Sequence, residues 1–212
     1  KLARDLHDGP TQSISAIAMR VNFARRLMEK DPKKAAEELF KIEDVARRTT
    51  KEIRHMLFTL RPLILESQGL IAALDSLAEK MVETFNQEVI IQVDPKVIEL
   101  LEIGKQGVIF YIVEEAVNNA RKHAKALHVW VRLNLIQEDT GLLEIEDDGV
   151  GFDPGAVSAS YETRGSLGLL NIRERSELVN GVLRIDSAKD RGTRIQVIIP
   201  LTEGAADRLR RG

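Results

Sequence analysis

The 212-residue chain is 43% hydrophobic and 30% charged, enough apolar content for a real core. Its net charge of -2 carries no nucleic-acid or membrane signature, and with no cysteine it has no disulfide or thiol chemistry. No apolar run approaches the roughly 18 residues needed to span a bilayer, and no stretch reads as a signal peptide. A chain that starts at Lys1 is expected to be a cytoplasmic fragment, with membrane attachment left open for the full-length protein.

The stretch Leu6-His7-Asp8-Gly9-Pro10-Thr11-Gln12 comes first. Pro10 lacks an N–H, so inside a helix it removes the donor to the Leu6 carbonyl and bends the chain beside His7 and Asp8. The alternative is that Pro10 opens a helix and His7 and Asp8 cap it. Ile14, Ile17, Val21, Ala24 and Met28 then recur at steps of three and four. Leu39, Ile42, Ala46, Thr49, Ile53, Met56 and Leu60 do the same, so each segment carries a heptad seam. Asp31 and Pro32 between them suit an N-cap and a first helical position. An antiparallel helical hairpin follows. One hairpin cannot cover two apolar stripes, so a homodimeric four-helix bundle is expected. His55 reads as an ordinary, partly exposed residue.

Arg61-Pro62 ends the hairpin, and Gly69 precedes an amphipathic helix with Leu70, Leu74, Leu77, Ala78 and Met81. Strands are expected at 88–93, 127–135, 142–147, 182–186 and 193–200, and helices at 104–123 and 169–180. A Gly/Ser-rich loop covers 152–165. This predicts an α+β fold: residues 1–62 as the helical hairpin, 63–202 as an α/β sandwich with helices on one face of a mostly antiparallel sheet, and 203–212 as a disordered tail.

Within the long helix, Glu115, Asn119 and Lys122 fall at i, i+4 and i+7. A carboxylate, an amide oxygen and an ammonium in a row suit a metal–triphosphate, although a solvated helix face has the same pattern. Asp147-Asp148-Gly149-Val150-Gly151 puts a carboxylate at a strand end beside backbone that a flat ring can approach; alone it is only a turn signal. Arg164-Gly165-Ser166-Leu167-Gly168-Leu169 runs a glycine-bearing loop into a helix N-terminus, which suits phosphate. Gly192-Thr193 offers another close backbone approach.

In this order, these elements resemble the ATP-binding domain of histidine kinases and their relatives among gyrases, Hsp90 and MutL. His7-Asp8-x-x-x-Gln12, with the Arg61-Pro62 junction and Gly69-Leu70, resembles the nitrate-sensor and lipid-fluidity-sensor (NarX/DesK-like) subfamily. The resemblance implies ATP and Mg²⁺ as cofactors. It implies His7 as phosphoacceptor, Asp8 as general base, and Gln12 as the residue that positions water for dephosphorylating a regulator. Asn119 would ligate the metal, Asp147 would bind adenine, and Glu115 would activate water or organise the metal. Lys122 and His123 would lie near the phosphates, with Gly149, Gly151, Gly165, Gly168, Leu169 and Thr193 completing the nucleotide site. The implied partner is a response-regulator receiver domain with a helix-turn-helix output domain, and the kinase itself contacts no nucleic acid.

Two departures stand out. Ser166 occupies a glycine position of the phosphate loop, one residue after Gly165. Asp190-Arg191-Gly192-Thr193 lacks the first glycine of a Gly-x-Gly-Thr motif. Two other readings are a serine/threonine kinase or ATPase of the same nucleotide-binding superfamily, and a non-catalytic dimeric scaffold.

Overall fold

The computed structural model describes residues 10–59, 63–153 and 167–211. Helix α1 is described over Pro10–Leu27, and the residues before Pro10, which would tell a bend from a helix start, lie outside the described residues. His7 and Asp8 lie outside the described residues, as does the side chain of Gln12. A tight turn leads into α2 (Pro32–Thr59), and Asp31 caps it by accepting the Lys34 N–H at 3.2 Å. The two helices pack as a hairpin through Ala24, Ala35, Ile42 and Thr49, all buried, with Arg20 and Glu38 paired at 3.0 Å across it.

The expected seam therefore divides. Ala24, Ile42 and Thr49 face inward within the hairpin. Ile14, Val21, Met28 and Leu39 remain 47–61% exposed in the single chain. Ile14, Val21 and Met28 recur every seven residues, so they form one continuous apolar flank.

The chain divides into two compact units, Lys1–Arg61 and Pro62–Gly212. The second begins with α3 (Leu63–Phe85), which is interrupted at Gly69, where φ is 84° and ψ -177°. Only glycine adopts that conformation without strain. The helix expected after Gly69 is thus preceded by a further helical turn. Strand β1 (Glu88–Val93) follows, then a short helix α4 (Pro95–Leu100) that the periodicity did not signal. Asp94 caps α4 by accepting the Lys96 N–H, with Pro95 in the first turn.

Next come α5 (Ile103–Asn119), β2 (His128–Gln137), β3 (Thr140–Asp147), α6 (Leu167–Leu178), β4 (Val182–Ser187), β5 (Thr193–Pro200) and α7 (Glu203–Arg211). The five strands form one sheet in the order β1-β2-β3-β5-β4. β1 runs parallel to β2 and the other pairings are antiparallel.

Alternation along the strands sorts the two sheet faces. Val129, Val131, Leu133, Leu143, Ile145, Ile195, Val197 and Ile199 are at most 5% exposed. They share one core with Leu74, Ile109, Ile112, Val113, Val117 and Ile172 of the helices. Burying each such side chain contributes about 1.5–3 kcal/mol relative to leaving it exposed. On the opposite face Arg132 pairs with Glu144 and Glu146, Arg194 pairs with Glu146, and Gln196 donates to Glu144.

Residues 203–211, expected as part of a disordered tail, instead form α7. Ala205 is 1% exposed, and Arg208 donates to both oxygens of Asp139 at 2.6 and 2.7 Å. Arg210 also donates to Asn180. The segment Glu203–Arg211 is short and polar, and its anchors are charges whose partners sit far away in sequence, so periodicity alone does not reveal it.

Candidate functional site

The candidate site has two parts, one where the turn after β3 packs on the end of the π turn that follows α5, the other where the C-terminal end of α5 meets the start of α6. Asp147 is the last residue of β3 and shares the helix-covered face with Leu143 and Ile145. Its carboxylate is half-buried. Oδ1 accepts the Gly149 N–H at 2.9 Å, and Thr193, its register partner on β5, also bonds to it. Burial pushes the Asp147 carboxyl above the ordinary carboxylate range, and the bonds from Gly149 and Thr193 offset this only in part.

The glycines beside Asp147 serve the protein's own backbone first. A side chain at Gly149 would run into the methyl and carbonyl of Ala124. One at Gly151, where φ is 60°, would meet the carbonyls of Ala188 and Gly192; one at Gly192, where φ is 69°, would meet the carbonyl of Asp147. The close approach anticipated for a flat ring is thus made, at these three positions, by neighbouring turns that hold Asp147 in place. Val150 N–H donates to the Ala124 carbonyl at 2.9 Å and fastens this turn to the end of α5.

Asp190 stands where the first glycine of Gly-x-Gly-Thr is missing, and its φ is 61°. The position requires the left-handed region, which aspartate tolerates better than most residues.

Past Asn119, α5 widens into a π turn, Ala120–Ala124, closed by Lys125 in the left-handed conformation. Lys122 and His123 are exposed on this turn. The expected i, i+4, i+7 stripe therefore holds for Glu115 and Asn119, and the wider turn shifts Lys122 out of phase.

Gly168, in the first turn of α6, sits directly on these two residues. A Cβ there would lie 2.7 Å from Glu115 Oε1 and 2.8 and 2.9 Å from the two polar atoms of the Asn119 amide. Leu169 is partly buried against the core, and Gly165 lies outside the described residues. The structure therefore brings together Glu115, Asn119 and Gly168, and separately Asp147, Gly149, Gly151 and Thr193.

Ser187 was missed by sequence reasoning. Its hydroxyl donates to the Gly192 carbonyl, accepts the Phe152 N–H and bonds to Thr193 Oγ1 at 3.1 Å. The one signal available was its place at the end of β4, opposite Thr193.

Residues 1–65 match the family described as histidine kinase, and residues 104–203 match that described as histidine kinase-, DNA gyrase B-, and HSP90-like ATPase. The chain belongs to the histidine kinases. A sensor-like histidine kinase of Chloroflexus aurantiacus is 45% identical over 95% of this chain and 34% of its own length. The signal transduction histidine-protein kinase/phosphatase DegS of Brevibacillus brevis is 34% identical over 95% of this chain and 51% of its own. The sensor histidine kinase DesK of Bacillus subtilis is 30% identical over 94% of this chain and 50% of its own. The chain thus spans between a third and a half of the length of these curated relatives. Among solved structures, the histidine kinase domain of the Erythrobacter litoralis EL346 blue-light activated histidine kinase has the same fold. Its TM-score is 0.53 at 18% identity, covering 96% of this chain and 92% of that one.

The ATPase family of the C-terminal unit implies ATP as its ligand. The Asn119 amide fits a metal–phosphate site: its Nδ2 is buried without a hydrogen-bond partner and can donate to a phosphate oxygen, which leaves Oδ1 as the atom that could face a metal. Among the described residues, no group of three His, Asp or Glu could hold a metal. No helix of the described residues is long and apolar enough to cross a membrane.

Next to Asp147, the kinase carries a titrating pair. His128 Nδ1 lies 2.6 Å from Asp148 Oδ2, and Nε2 lies 3.7 Å from Glu88 Oε2. The bond to Asp148 outweighs desolvation and raises the imidazole pKa above 6.5. Burial works against the Asp148 carboxylate, but bonds from the His128 N–H, the imidazole and the Leu127 N–H prevail and hold its pKa below 3.8. The stabilisation from His128 is complete below the unfolded value and is lost as pH rises through the raised one. That from Asp148 is complete above its unfolded value and is lost as pH falls through the lowered one. Thermal unfolding followed against pH is therefore expected to show stability falling above pH 6.5, with His128→Gln removing that part of the decline.

Proposed function

We propose that this chain is the catalytic core of a two-component sensor kinase. It uses Mg-ATP to phosphorylate its own His7, passes the phosphoryl group to an aspartate of a response-regulator receiver domain, and also dephosphorylates that regulator. The observation that carries this reading is the half-buried Asp147 carboxylate, fixed by Gly149 and Thr193 and facing the helix-covered side of the sheet. A rigid acceptor in that setting suits the exocyclic amine of adenine.

In this reading Asp147 receives adenine between the turns built on Gly149 and Gly151. Asn119 would hold Mg²⁺, which neutralises charge on the phosphates when bound. Lys122 and His123 meet the phosphates from the π turn, the backbone at Gly168 and Leu169 meets them from the start of α6, and Gly165 is a further phosphate residue. Asp8 takes the proton of the His7 imidazole as the free ring nitrogen attacks the γ-phosphorus. The bond from that phosphorus to the bridging oxygen breaks and ADP leaves. Glu115 organises the metal or a water beside Asn119. Gln12 positions the water that removes phosphate from the regulator. The regulator carries a helix-turn-helix output domain, and the kinase core works at the cytoplasmic side without contacting nucleic acid.

The domain reading is a phosphotransfer hairpin over 1–62 and a nucleotide-binding domain over 63–202. The exposed flank of Ile14, Val21, Met28 and Leu39 supports a homodimer in which two hairpins cover each other's apolar face. Val21→Glu would place an unpaired carboxylate in that seam, where an uncompensated buried charge costs several kcal/mol. Light scattering at micromolar concentration is expected to show a dimer for the unaltered chain and a monomer for this variant.

The kinase reading is tested with γ-labelled ATP and Mg²⁺. A phosphoryl adduct that is labile to acid and stable to alkali is the expected result. An acid-stable, alkali-labile adduct would favour a serine/threonine kinase of the same superfamily, and failure to bind nucleotide by calorimetry would favour a dimeric scaffold.

A further inference from the structure

Helix α6 presents Gly168, Ile172 and Arg175, spaced i, i+4 and i+7, on one face. On α5, Tyr111, Glu115 and Asn119 recur every four residues. The two rows meet at the Glu115 carboxylate. Its Oε1 lies where a side chain on Gly168 would begin, and its Oε2 lies 3.9 Å from Arg175 Nη1. The same Nη1 donates to the Tyr111 carbonyl at 2.6 Å, and the guanidinium lies 5.4 Å from the Tyr111 ring centroid. Arg175 and Glu115 are 13% and 26% exposed, so solvent screens their attraction weakly. A guanidinium does not lose its proton in a protein, so the cation is permanent.

We propose that Arg175 is a positioning residue for the phosphate end of the nucleotide site: it neutralises Glu115 and holds its carboxylate against Gly168. This rests on the kinase reading above, which places phosphates at Asn119 and the first turn of α6. Without Arg175, an unpaired carboxylate would stand beside that turn and repel a triphosphate. It would also be free to leave the single rotamer that the close approach of Gly168 requires. Arg175 acts through the Glu115 charge beside the phosphate end and not on the adenine, so its effect scales with the number of phosphates on the ligand. Sequence spacing hints at it only through the seven-residue step from Gly168.

The test measures the affinity of the full chain for adenosine, ADP and Mg-ATP by calorimetry, for Arg175→Ala, Arg175→Lys, Glu115→Gln and the double variant Arg175→Ala with Glu115→Gln. Arg175→Ala is expected to weaken Mg-ATP by roughly 10- to 100-fold, the range for residues that orient a ligand shell, and ADP by less. Adenosine affinity is expected to stay unchanged. Arg175→Lys keeps the charge, loses the fork geometry, and should retain most of the Mg-ATP affinity. With Glu115→Gln alone as the reference for what the carboxylate itself contributes at the metal, adding Arg175→Ala to it should cost little further Mg-ATP affinity, because no unpaired charge is left behind.

Equal losses for adenosine and Mg-ATP, or the same further loss on adding Arg175→Ala to Glu115→Gln as in the unaltered chain, would show Arg175 to be a packing residue and overturn the proposal. If Arg175→Ala does not fold, Arg175→Gln, which keeps much of the side chain and loses the charge, takes its place: weakened Mg-ATP with adenosine affinity kept supports the proposal, and equal losses overturn it. Failure of the kinase reading has a different signature: no label on His7 while these affinity ratios still split.

Discussion

His7→Gln is expected to reduce phosphoryl incorporation from γ-labelled Mg-ATP to background. Nucleotide affinity should be unchanged, because His7 belongs to the hairpin unit and the residues proposed to contact nucleotide belong to the other. Glutamine keeps the approximate size and polarity of histidine but has no basic nitrogen to attack phosphorus. The loss is therefore chemical, with thermal unfolding and dimer formation as controls for the fold. Label retained in the variant would move the acceptor to another side chain and remove His7 from the mechanism. Loss of both label and ATP binding would point to a damaged chain instead.

Asp147→Asn should give the opposite pattern, with binding lost and the fold intact. Losing a charge-assisted bond costs about 1.5–3 kcal/mol, and every 1.4 kcal/mol is tenfold. ATP affinity should therefore fall by roughly 10- to 100-fold, and adenosine affinity by the same factor, because the contact is to the ring. Stability should move the other way. Burial raises the Asp147 pKa, so at neutral pH the ionised carboxylate is held against a desolvation penalty in the folded state. Neutral asparagine escapes that penalty while its oxygen still accepts the Gly149 N–H. The variant is expected to melt no lower than the unaltered chain by calorimetry. A drop in melting temperature would mean that Asp147 serves the turn more than the ligand.

The sheet was legible because its inner face is apolar in strict alternation; Val129, Val131 and Leu133 announce β2 without help. The hairpin was legible for a similar reason, yet a heptad pattern does not say which neighbours lie in the same chain. Val21 and Ala24 read alike as seam residues, and only Ala24 is buried within one hairpin. Helix α4 escaped because six residues are too few to show a period, although Asp94-Pro95 carried a capping signal. Helix α7 escaped because the partner of Arg208 is Asp139 in the distant β2–β3 turn.

In the candidate site, the types of residue could be read and their surroundings could not. The spacing of Gly149 and Gly151 read only as a turn signal, and the family resemblance gave it a role. That Ala124 and Ala188 crowd them is a tertiary fact. The missing glycine at Asp190 looked like a defect in the motif until its left-handed backbone showed that the conformation had been kept with a different side chain.

The π turn at Ala120–Ala124 bears on how this family can vary. A helix that gains one residue within a turn is rotated by about 100° beyond that point relative to an unbroken α-helix. Lys122 and His123 owe their direction to this offset as much as to their identity. An insertion or deletion of a single residue in these five positions would leave Glu115-x-x-x-Asn119 and Asp147-x-Gly149-x-Gly151 intact while aiming both side chains elsewhere. The length of this segment is therefore as much a part of the site as its composition.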